Sequence, residues 1–338
     1  MREALVAKGA GSFYSTAYKM DHDIEQLEYL ATKLDGELLG EEILKVGLPL
    51  YRRVRAKIPS LEALATTKGL YAFEPEDLEL MKHWYNRALY VPTEDTIVGS
   101  LLDNEKDWSS VEKEYFKNDV CAVDDVLTPA AFDAIRELLM SSTVFYETKM
   151  PQVFGGYVGA IIEDGLHAKP LLRLARELRA ALPNILGDHS LRYLWVYKYD
   201  SNFKGIKVHA DEAAVNFNLW LTPDDANLDK TNGGLVVYVV KPPETASIED
   251  YNQRGPDFAM ELLQQSDYQN VTVPYKANRA VIFDSALFHK SDSFHFKSGY
   301  QHRRINLTLL FGSMRKAPDI NHILQGGGNT EKTITGDS

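Results

Sequence analysis

The most constraining feature of this sequence is a change in its hydrophobic period after Pro183. Aromatic side chains occupy every second position over residues 192–199, and polar and apolar residues alternate over 215–221. A period of two is typical of β-strands, whose successive side chains point to opposite faces of a sheet. Further strands are predicted at 235–240, 271–275, 280–283 and 304–311, with a helical insertion at 247–265. Many short strands without alternating helices favour a closed or sandwiched antiparallel β structure.

The earlier part of the chain, residues 21–139, has a mainly helical pattern. Ile24, Leu27 and Leu30 recur at three-residue steps behind acidic residues, which predicts an amphipathic helix that begins near residue 21. His22 falls in the first turn of this helix and is interpreted as a capping or surface residue, because a lone histidine without spaced partners rarely marks a metal site.

Two more helices are indicated by their ends. Thr128 before Pro129 is a typical N-cap and first helical residue, which predicts a helix to about residue 140. A helix over 170–182 would stop at Pro183. The predicted organisation is a mainly helical N-terminal region at 1–139, a β domain at 140–316 and a disordered C-terminal tail at 317–338.

Composition and charge exclude several classes of function. A formal net charge of -11 without a basic stripe argues against DNA or RNA as a partner, because polyphosphates are bound by clustered cations. The single cysteine, Cys121, excludes a disulfide framework and a zinc site of several thiolates, and it is interpreted as a small buried hydrophobic residue. No apolar run is long enough for a membrane span, and the first residues lack the core of a secretory signal. A cytoplasmic protein is therefore expected, with a short organelle leader as the open alternative.

Any metal site must then use imidazoles and carboxylates, and one pair has suitable spacing. His209 and Asp211 lie two residues apart, so in an extended strand both side chains project from the same face. Non-haem iron(II) is commonly held by two imidazoles and one carboxylate on one side of an octahedron. Three histidines could supply the second imidazole: His289, His295 and His302. The first of them is favoured, because it follows the apolar run at 280–283.

The strand predicted at 304–311 carries an arginine on its polar face. Arg304, Asn306 and Thr308 share that face, whereas the residues between them are apolar and must pack into a core. The polar face therefore lines a cavity or meets water. In a cavity, Arg304 can form a bidentate pair with a carboxylate, and at a surface it would form an ordinary salt bridge. Arg303, on the opposite side of the pleat, is expected at the surface.

A His-x-Asp pair, a distal His and a later Arg, in this order, resemble the iron(II) and 2-oxoglutarate dependent oxygenases. The match covers residues 191–312. Further segments that look like members of that superfamily are Asn218-Leu219-Trp220-Leu221-Thr222-Pro223, Gly233-Gly234-Leu235, Phe288-His289 and Arg303-Arg304-Ile305-Asn306. The resemblance implies an α+β protein with a double-stranded β-helix core of the jelly-roll, cupin-like type, and a helical region packed on it.

The same resemblance implies a site and a reaction. His209, Asp211 and His289 would bind Fe(II), and Arg304 would pair with the distal carboxylate of the cosubstrate 2-oxoglutarate. Family members that halogenate carry a small residue in place of the carboxylate, so Asp211 favours hydroxylation of a C–H bond. The chain would then be a dioxygenase that releases succinate and CO2. Its substrate is expected to be a small molecule or a peptide.

Other side chains are candidates for the surroundings of the site. Tyr197, Asn218 and Trp220 either line the cavity and contact the cosubstrate, or belong to the core as packed aromatics and a satisfied amide. Asp284 and Asp292 either orient the distal histidine or serve as turn residues.

Three alternative functions stay open at this point. A metal-free β-helix could bind a ligand without catalysis. An iron oxidase could draw its electrons from the substrate and dispense with 2-oxoglutarate. A zinc hydrolase could use the same ligands, because ligand sets overlap between metals. The sequence does not indicate an oligomeric state.

Overall fold

The computed structural model describes residues 14–149, 156–200, 205–241, 243 and 256–313. Its helices are α1 (Ala17–Lys33), α2 (Leu38–Glu42), α3 (Leu48–Lys57), α4 (Pro75–Met81), α5 (Trp108–Asn118), α6 (Pro129–Ser141), α7 (Lys169–Ala181), α8 (Pro183–Leu186) and α9 (Pro256–Gln265). Its strands are β1 (Tyr14–Ser15), β2 (Tyr71–Ala72), β3 (Val120–Val123), β4 (Glu147–Lys149), β5 (Tyr157–Ile161), β6 (Leu191–Tyr199), β7 (Val215–Trp220), β8 (Leu235–Tyr238), β9 (Asn270–Val273), β10 (Ala280–Asp284), β11 (His289–Ser291) and β12 (Arg304–Phe311). The predicted tail at 317–338 and the first part of the predicted insertion, 247–255, lie outside the described residues.

Two antiparallel sheets form the β domain. Among the described strands, the larger sheet has the order β3-β10-β7-β12-β6-β5-β4 and the smaller has the order β11-β8-β9. An antiparallel bridge between His209 and His289 adds the segment before β7 to the smaller sheet, beside β11. From β6 onward the chain therefore passes repeatedly between the sheets, with β7, β10 and β12 in the larger one. This alternation is that of a double-stranded β-helix, so the predicted fold class is confirmed.

Apolar side chains cover both faces of the larger sheet. Trp220 of β7, Val237 of β8 and Phe283 of β10 belong to one buried cluster that joins the two sheets. A larger cluster covers the opposite, outer face, where Leu138 of α6 and Leu178 of α7 are buried. The inner face consequently lies between the sheets and the outer face lies beneath helices. No helix in the described part of the chain is long and apolar enough to cross a membrane.

The helices before residue 100 share an apolar cluster of their own. Leu30 of α1, Val54 of α3 and Met81 of α4 are buried in it. The same α1 also contacts the β domain, where the amide of Gln26 donates to the carbonyl of Ser142 at 2.8 Å. This helical unit is thereby fixed against the outer side of the larger sheet.

The first helix begins before its predicted position. Thr16 caps α1, and its hydroxyl accepts a hydrogen bond from the backbone N–H of Lys19. His22 therefore lies inside the helix, where it is buried against the rings of Phe145 and Tyr300. The prediction of a capping or surface role for His22 was wrong, because the docking of this helix face depends on distant parts of the chain.

One edge strand of the larger sheet comes from residues before 139. β3 pairs with β10, and Cys121 lies opposite Ile282 in the register. Cys121 is 2% exposed, so its prediction as a small buried residue is confirmed. The helix that follows, α6, starts as predicted, with the Thr128 hydroxyl accepting from the N–H of Ala131.

Candidate functional site

Two imidazoles and one carboxylate converge at the edge of the smaller sheet. His209 and His289 exchange backbone hydrogen bonds of 3.0 and 2.8 Å, which brings their ring centroids to 4.2 Å. Oδ2 of Asp211 lies 3.3 Å from Nε2 of His289, and its Oδ1 lies 3.7 Å from Nε2 of His209. One ligand atom from each residue lies within 4.8 Å of the others. These three residues form the candidate triad.

The backbone selects the tautomer of both imidazoles. Nδ1 of His209 lies 2.8 Å from the carbonyl oxygen of Lys207, and Nδ1 of His289 lies 3.0 Å from that of Leu287. Because a carbonyl oxygen only accepts, each Nδ1 donates its proton to this contact and Nε2 keeps its lone pair. A histidine that ligates a metal through Nε2 needs this arrangement.

The surroundings keep protons away from the triad. Burial, together with the neighbouring His289, lowers the pKa of His209 to about 4. Burial alone would raise the pKa of Asp211, but the contact with His289 and the charge that either imidazole carries when protonated hold it below its ordinary value. At neutral pH His209 is therefore a neutral imidazole and Asp211 is a carboxylate.

This donor set fits a divalent metal ion. With both imidazole protons held at Nδ1, the two Nε2 atoms and the carboxylate face each other with lone pairs and share no hydrogen. Such close acceptors repel one another unless a cation lies between them. Two imidazoles and one carboxylate match the ligand set of non-haem iron(II) sites. The side chain of His209 is a quarter exposed, so the triad is open on one side.

A chain of amides on the inner face of the larger sheet orients the carboxylate. Nδ2 of Asn216 donates to Oδ2 of Asp211 at 2.7 Å. Asn218 donates to Asn216, and its own Oδ1 accepts from Asn306 at 2.8 Å and from Thr308 at 3.0 Å. The sequence analysis missed the role of Asn216. The alternation over 215–221 puts this asparagine on the same face as Asn218 and was a usable signal.

Arg304 lies on the same inner face, at the start of β12, and is 2% exposed. Its Nε and Nη2 donate to the carbonyls of Gly233 and Gly234 at 2.7 and 3.0 Å. Its guanidinium also faces aromatic rings, those of Tyr199, Trp220, Tyr275 and Phe294. Within the described ranges no carboxylate forms an ion pair with Arg304, and Asp292 acts on it only through space. Burial lowers the pKa of this arginine, so an added negative charge would stabilise it.

The turn that receives the guanidinium requires glycine. Gly233 has a φ of +95°, a conformation that side chains disfavour. A Cβ on Gly234 would lie 1.9 Å from the carbonyl oxygen of Val273 and 2.8 Å from the ring of Trp220. The two glycines therefore allow the backbone carbonyls to approach Arg304 closely.

Two buried polar atoms beside Arg304 lack a hydrogen-bond partner among the residues that the structure describes. They are Nε1 of Trp220 and Oδ1 of Asn306, which lie opposite each other in the register of β7 and β12. An unpaired buried polar group costs roughly 1–3 kcal/mol. A polar ligand that pairs with them, and with the guanidinium, would remove that cost.

The predicted cavity residues occupy one face of the larger sheet. Tyr197 is 9% exposed and leans over Gly159, where a Cβ would lie 2.7 Å from its ring. Trp220 stacks on Tyr275 with ring centroids 5.3 Å apart. Asn218 is both a satisfied buried amide and a part of the chain that leads to the triad. Packing in the core and lining the cavity are therefore not mutually exclusive roles for these residues.

Other candidates lie apart from the triad. His295 is exposed, and Nδ1 of His302 lies 2.7 Å from a backbone carbonyl of its own turn. Neither histidine belongs to the cluster of ligand atoms. Asp284 forms an ion pair with Lys241 at 2.6 Å and accepts the N–H of Ala286, which is the role of a turn residue.

Arg303 was predicted at the surface, and this was wrong. Its side chain is 4% exposed. Nε lies 2.8 Å from Glu25 of α1, and Nη2 lies 3.4 Å from Asp200. The packing of α1 on the outer side of the sheet encloses this residue, and that packing is not visible in the local sequence pattern.

No family model and no curated protein matches this chain. Solved structures do resemble it. The non-heme alpha-ketoglutarate-dependent epimerase SnoN from nogalamycin biosynthesis is 16% identical with a TM-score of 0.42, over 68% of this chain and 96% of that one. A Pseudomonas putida prolyl-4-hydroxylase is 15% identical with a TM-score of 0.40, over 61% and 98%. A Burkholderia pseudomallei oxidoreductase of the 2OG-Fe(II) oxygenase family is 10% identical with a TM-score of 0.40, over 63% and 94%.

At these identities and TM-scores the likeness does not extend to a reaction or a substrate. What the chain does must therefore be inferred from its own side chains.

Proposed function

We propose that this chain is a non-haem iron(II) dioxygenase that consumes 2-oxoglutarate and hydroxylates a C–H bond of a small molecule or peptide. One observation carries the proposal. A triad of two imidazoles and a carboxylate on the smaller sheet is bonded, through Asp211 and Asn216, to the inner face of the larger sheet. The same inner face carries a buried arginine, Arg304, that has no carboxylate partner in the described chain. The first feature suits a metal ion, and the second suits an acidic cosubstrate.

The triad would hold the metal. His209 and His289 offer Nε2 lone pairs, while Asp211 contributes a negative charge that offsets part of the charge of the ion. Bound there, ferrous iron with 2-oxoglutarate and O2 supplies the oxidation, in which one oxygen atom enters the substrate and the other enters succinate as CO2 leaves. Asn216 keeps the carboxylate in place through its 2.7 Å hydrogen bond.

Arg304 would bind the distal carboxylate of 2-oxoglutarate. Its contacts with Gly233 and Gly234 fix the plane of the guanidinium, so the charge is held in one orientation before the cosubstrate arrives. The surrounding aromatic rings exclude water, which strengthens a charge pair. Nε1 of Trp220 adds a donor from which the bound carboxylate could accept a hydrogen bond.

The first experiment measures succinate formation. Protein supplied with Fe(II), 2-oxoglutarate and O2 is expected to release succinate and CO2 in equal amounts, slowly even without substrate. Asp211→Ala is expected to abolish succinate formation, because the triad loses its only anionic ligand. Asp225→Ala is the matched control, since Asp225 is exposed and pairs with Lys297. Succinate formation at the wild-type rate in Asp211→Ala would refute the proposal.

The alternatives differ in measurable ways. A zinc hydrolase would retain zinc after anaerobic purification and would form no succinate. An iron oxidase without a cosubstrate would bind iron but would not need Arg304 to bind 2-oxoglutarate. A binding module without catalysis would retain no metal and would form no succinate. Metal analysis and succinate measurement together therefore separate the three alternatives.

A further inference from the structure

One part of the inner sheet face is a row of aromatic rings that the proposed metal and cosubstrate contacts do not use. Tyr193, Trp195 and Tyr197 occupy alternate positions of β6. Ring centroids are 5.9 Å apart between Tyr193 and Trp195 and 6.2 Å apart between Trp195 and Tyr197, with interplanar angles of 33° and 39°. The rings therefore form a nearly continuous surface, the aromatic wall.

The register of the larger sheet locates this wall beside the triad. Tyr193 lies opposite Leu310 of β12, which in turn lies opposite Asn216 of β7. Asn216 is the amide that binds Asp211. Tyr193, the first ring of the wall, thus lies two strands from the amide that binds Asp211, at the same level of the sheet, whereas Arg304 is near the opposite end of β12.

A β-bulge connects the same end of β6 to the triad. The register between β6 and β12 shifts there, which leaves Arg192 between two paired positions. Its Nη2 donates to Glu212 at 3.0 Å, and Glu212 directly follows Asp211 in the chain. The guanidinium of Arg192 also lies 5.2 Å from the ring centroid of Tyr193. Arg192 therefore bridges the start of the wall and the segment that carries Asp211.

Only part of the wall is available to a ligand. Tyr197 is buried and packs edge-on against Tyr157, with ring centroids 4.7 Å apart, above the notch at Gly159. Trp195 and Tyr193 are half-buried. Tyr193 and Trp195 are therefore the part of the wall that a ligand can reach.

Two ion pairs flank the aromatic wall, one beside Tyr193 and the other level with Tyr197. Arg192 and Glu212 lie on one side. On the other side, in β4, Lys149 and Glu147 are 2.8 Å apart, and Glu147 lies opposite Gly159 in the register. Each pair is balanced in charge and partly exposed. A ligand on the wall would meet hydrogen-bond donors and acceptors at its rim without a net charge.

We propose that Trp195 and Tyr193 bind the substrate, and that the substrate is a neutral ring compound with polar substituents around its rim. A ring face stacks on aromatic side chains, and the substituents bond to the bordering ion pairs. The proposal rests on the proposed function, since it takes the adjacent triad as the reacting centre. Sugar and cyclitol rings and phenols share this chemistry, and separate probes distinguish them.

The test is a saturation-transfer NMR titration of the full chain. The ring probes are methyl glucopyranoside, myo-inositol and phenol, and the acyclic polyol sorbitol is their matched control. At least one ring probe is expected to bind about tenfold more tightly than sorbitol, which corresponds to about 1.4 kcal/mol. A response confined to phenol identifies an aromatic ring, and a response to the polyols identifies a saturated one.

Substitutions in the aromatic wall test whether the wall causes this preference. Trp195→Ala is expected to remove the tenfold preference, whereas Trp195→Phe keeps a ring and stays within about threefold of the wild type. Trp108→Ala is the matched control, because Trp108 lies on α5, away from the inner sheet face. Tyr193→Leu, at a half-buried position, is a second variant if Trp195→Ala does not fold, and it is expected to weaken ring binding about threefold.

Equal binding of sorbitol and every ring probe would overturn the proposal, as would a ring preference that survives both Trp195→Ala and Tyr193→Leu. Failure to bind any ring probe would overturn it too. Succinate formation without a probe is measured in parallel. If succinate forms but no ring preference is found, only the proposal for the aromatic wall is refuted. If a Trp195-dependent ring preference is found but no succinate forms, only the proposed function is refuted.

Discussion

Two neighbouring arginines have different surroundings on the two faces of the larger sheet. Arg303 is buried on the outer side, where Glu25 and Asp200 neutralise it at 2.8 and 3.4 Å. Arg304 is buried on the inner side, with backbone carbonyls and aromatic rings around it. A buried charge is costly unless it is paired. The first arginine therefore supports the fold, whereas the second, which has no carboxylate partner among the described residues, suits the proposed binding of a carboxylate.

The largest effect is expected from the substitution of Arg304, the arginine on the inner side. Arg304→Met should weaken 2-oxoglutarate binding roughly 1000-fold, because truncating one partner of a buried charge pair costs about 4 kcal/mol. Anaerobic calorimetric titration of the iron-loaded protein measures this affinity. Arg303→Met is the matched control and should change it less than about twofold. Unchanged cosubstrate affinity in Arg304→Met would remove the assignment of this residue.

The outer arginine should show the reverse pattern. Arg303→Met is expected to lower the free energy of unfolding by about 3 kcal/mol, since it removes a buried guanidinium that contacts two partly buried carboxylates. Arg304→Met should lower it much less, because that change removes a buried charge without a carboxylate partner. Urea unfolding of both variants checks the order. A larger loss in Arg304→Met than in Arg303→Met would contradict the comparison.

A smaller effect is expected from the amide beside the triad. Asn216→Ala should weaken metal binding about 30-fold, because the partner that holds the Asp211 carboxylate is lost. Metal affinity is measured by competition with a chelator. Asn232→Ala is a close control, since Asn232 also donates to a carboxylate, that of Asp229, at 2.7 Å. Equal losses in the two variants would show that Asn216 has no special role.

The smallest effect concerns a buried amine on the outer face. Nζ of Lys198 lies 2.7 Å from the hydroxyl of Tyr300 and 3.8 Å from the ring centroid of Phe145. Burial, helped by the charge of Arg303, lowers the pKa of Lys198 well below its ordinary value. The unfolded chain therefore binds this proton more tightly than the folded chain, and stability should rise with pH up to the ordinary lysine value of about 10.4.

The free energy of unfolding measured at pH 7 and pH 9 tests this sign. We expect it to rise in the wild type from pH 7 to pH 9, and Lys198→Met should remove that rise while raising stability at pH 7. An identical pH dependence in the wild type and in Lys198→Met would contradict the expected shift.

The elements that carry the site could be predicted because their signals are local. The strand at Arg304–Phe311 has the predicted bounds, and Leu191–Tyr199 begins one residue before its predicted start. Alternation alone defines which residues share a face in such strands. The inner face, with Asn218 and Trp220 on it, was therefore visible in the sequence.

The remaining features depend on long-range contacts. The sequence favoured His289 over two other histidines, but the contact that brings its ring to His209 is a backbone bridge between residues eighty positions apart. The burial of His22 and Arg303 follows from the docking of α1 on the sheet. Neither contact has a periodic signal, so periodicity could not predict them.

The central claim is that one cavity holds a ferrous ion through the triad and 2-oxoglutarate through Arg304. Anaerobic addition of Fe(II) and then 2-oxoglutarate, followed by visible absorption, tests it most directly. We expect a weak charge-transfer band that saturates at one equivalent of iron and is absent from His289→Ala. A wild-type protein that stays colourless with both present would contradict the account.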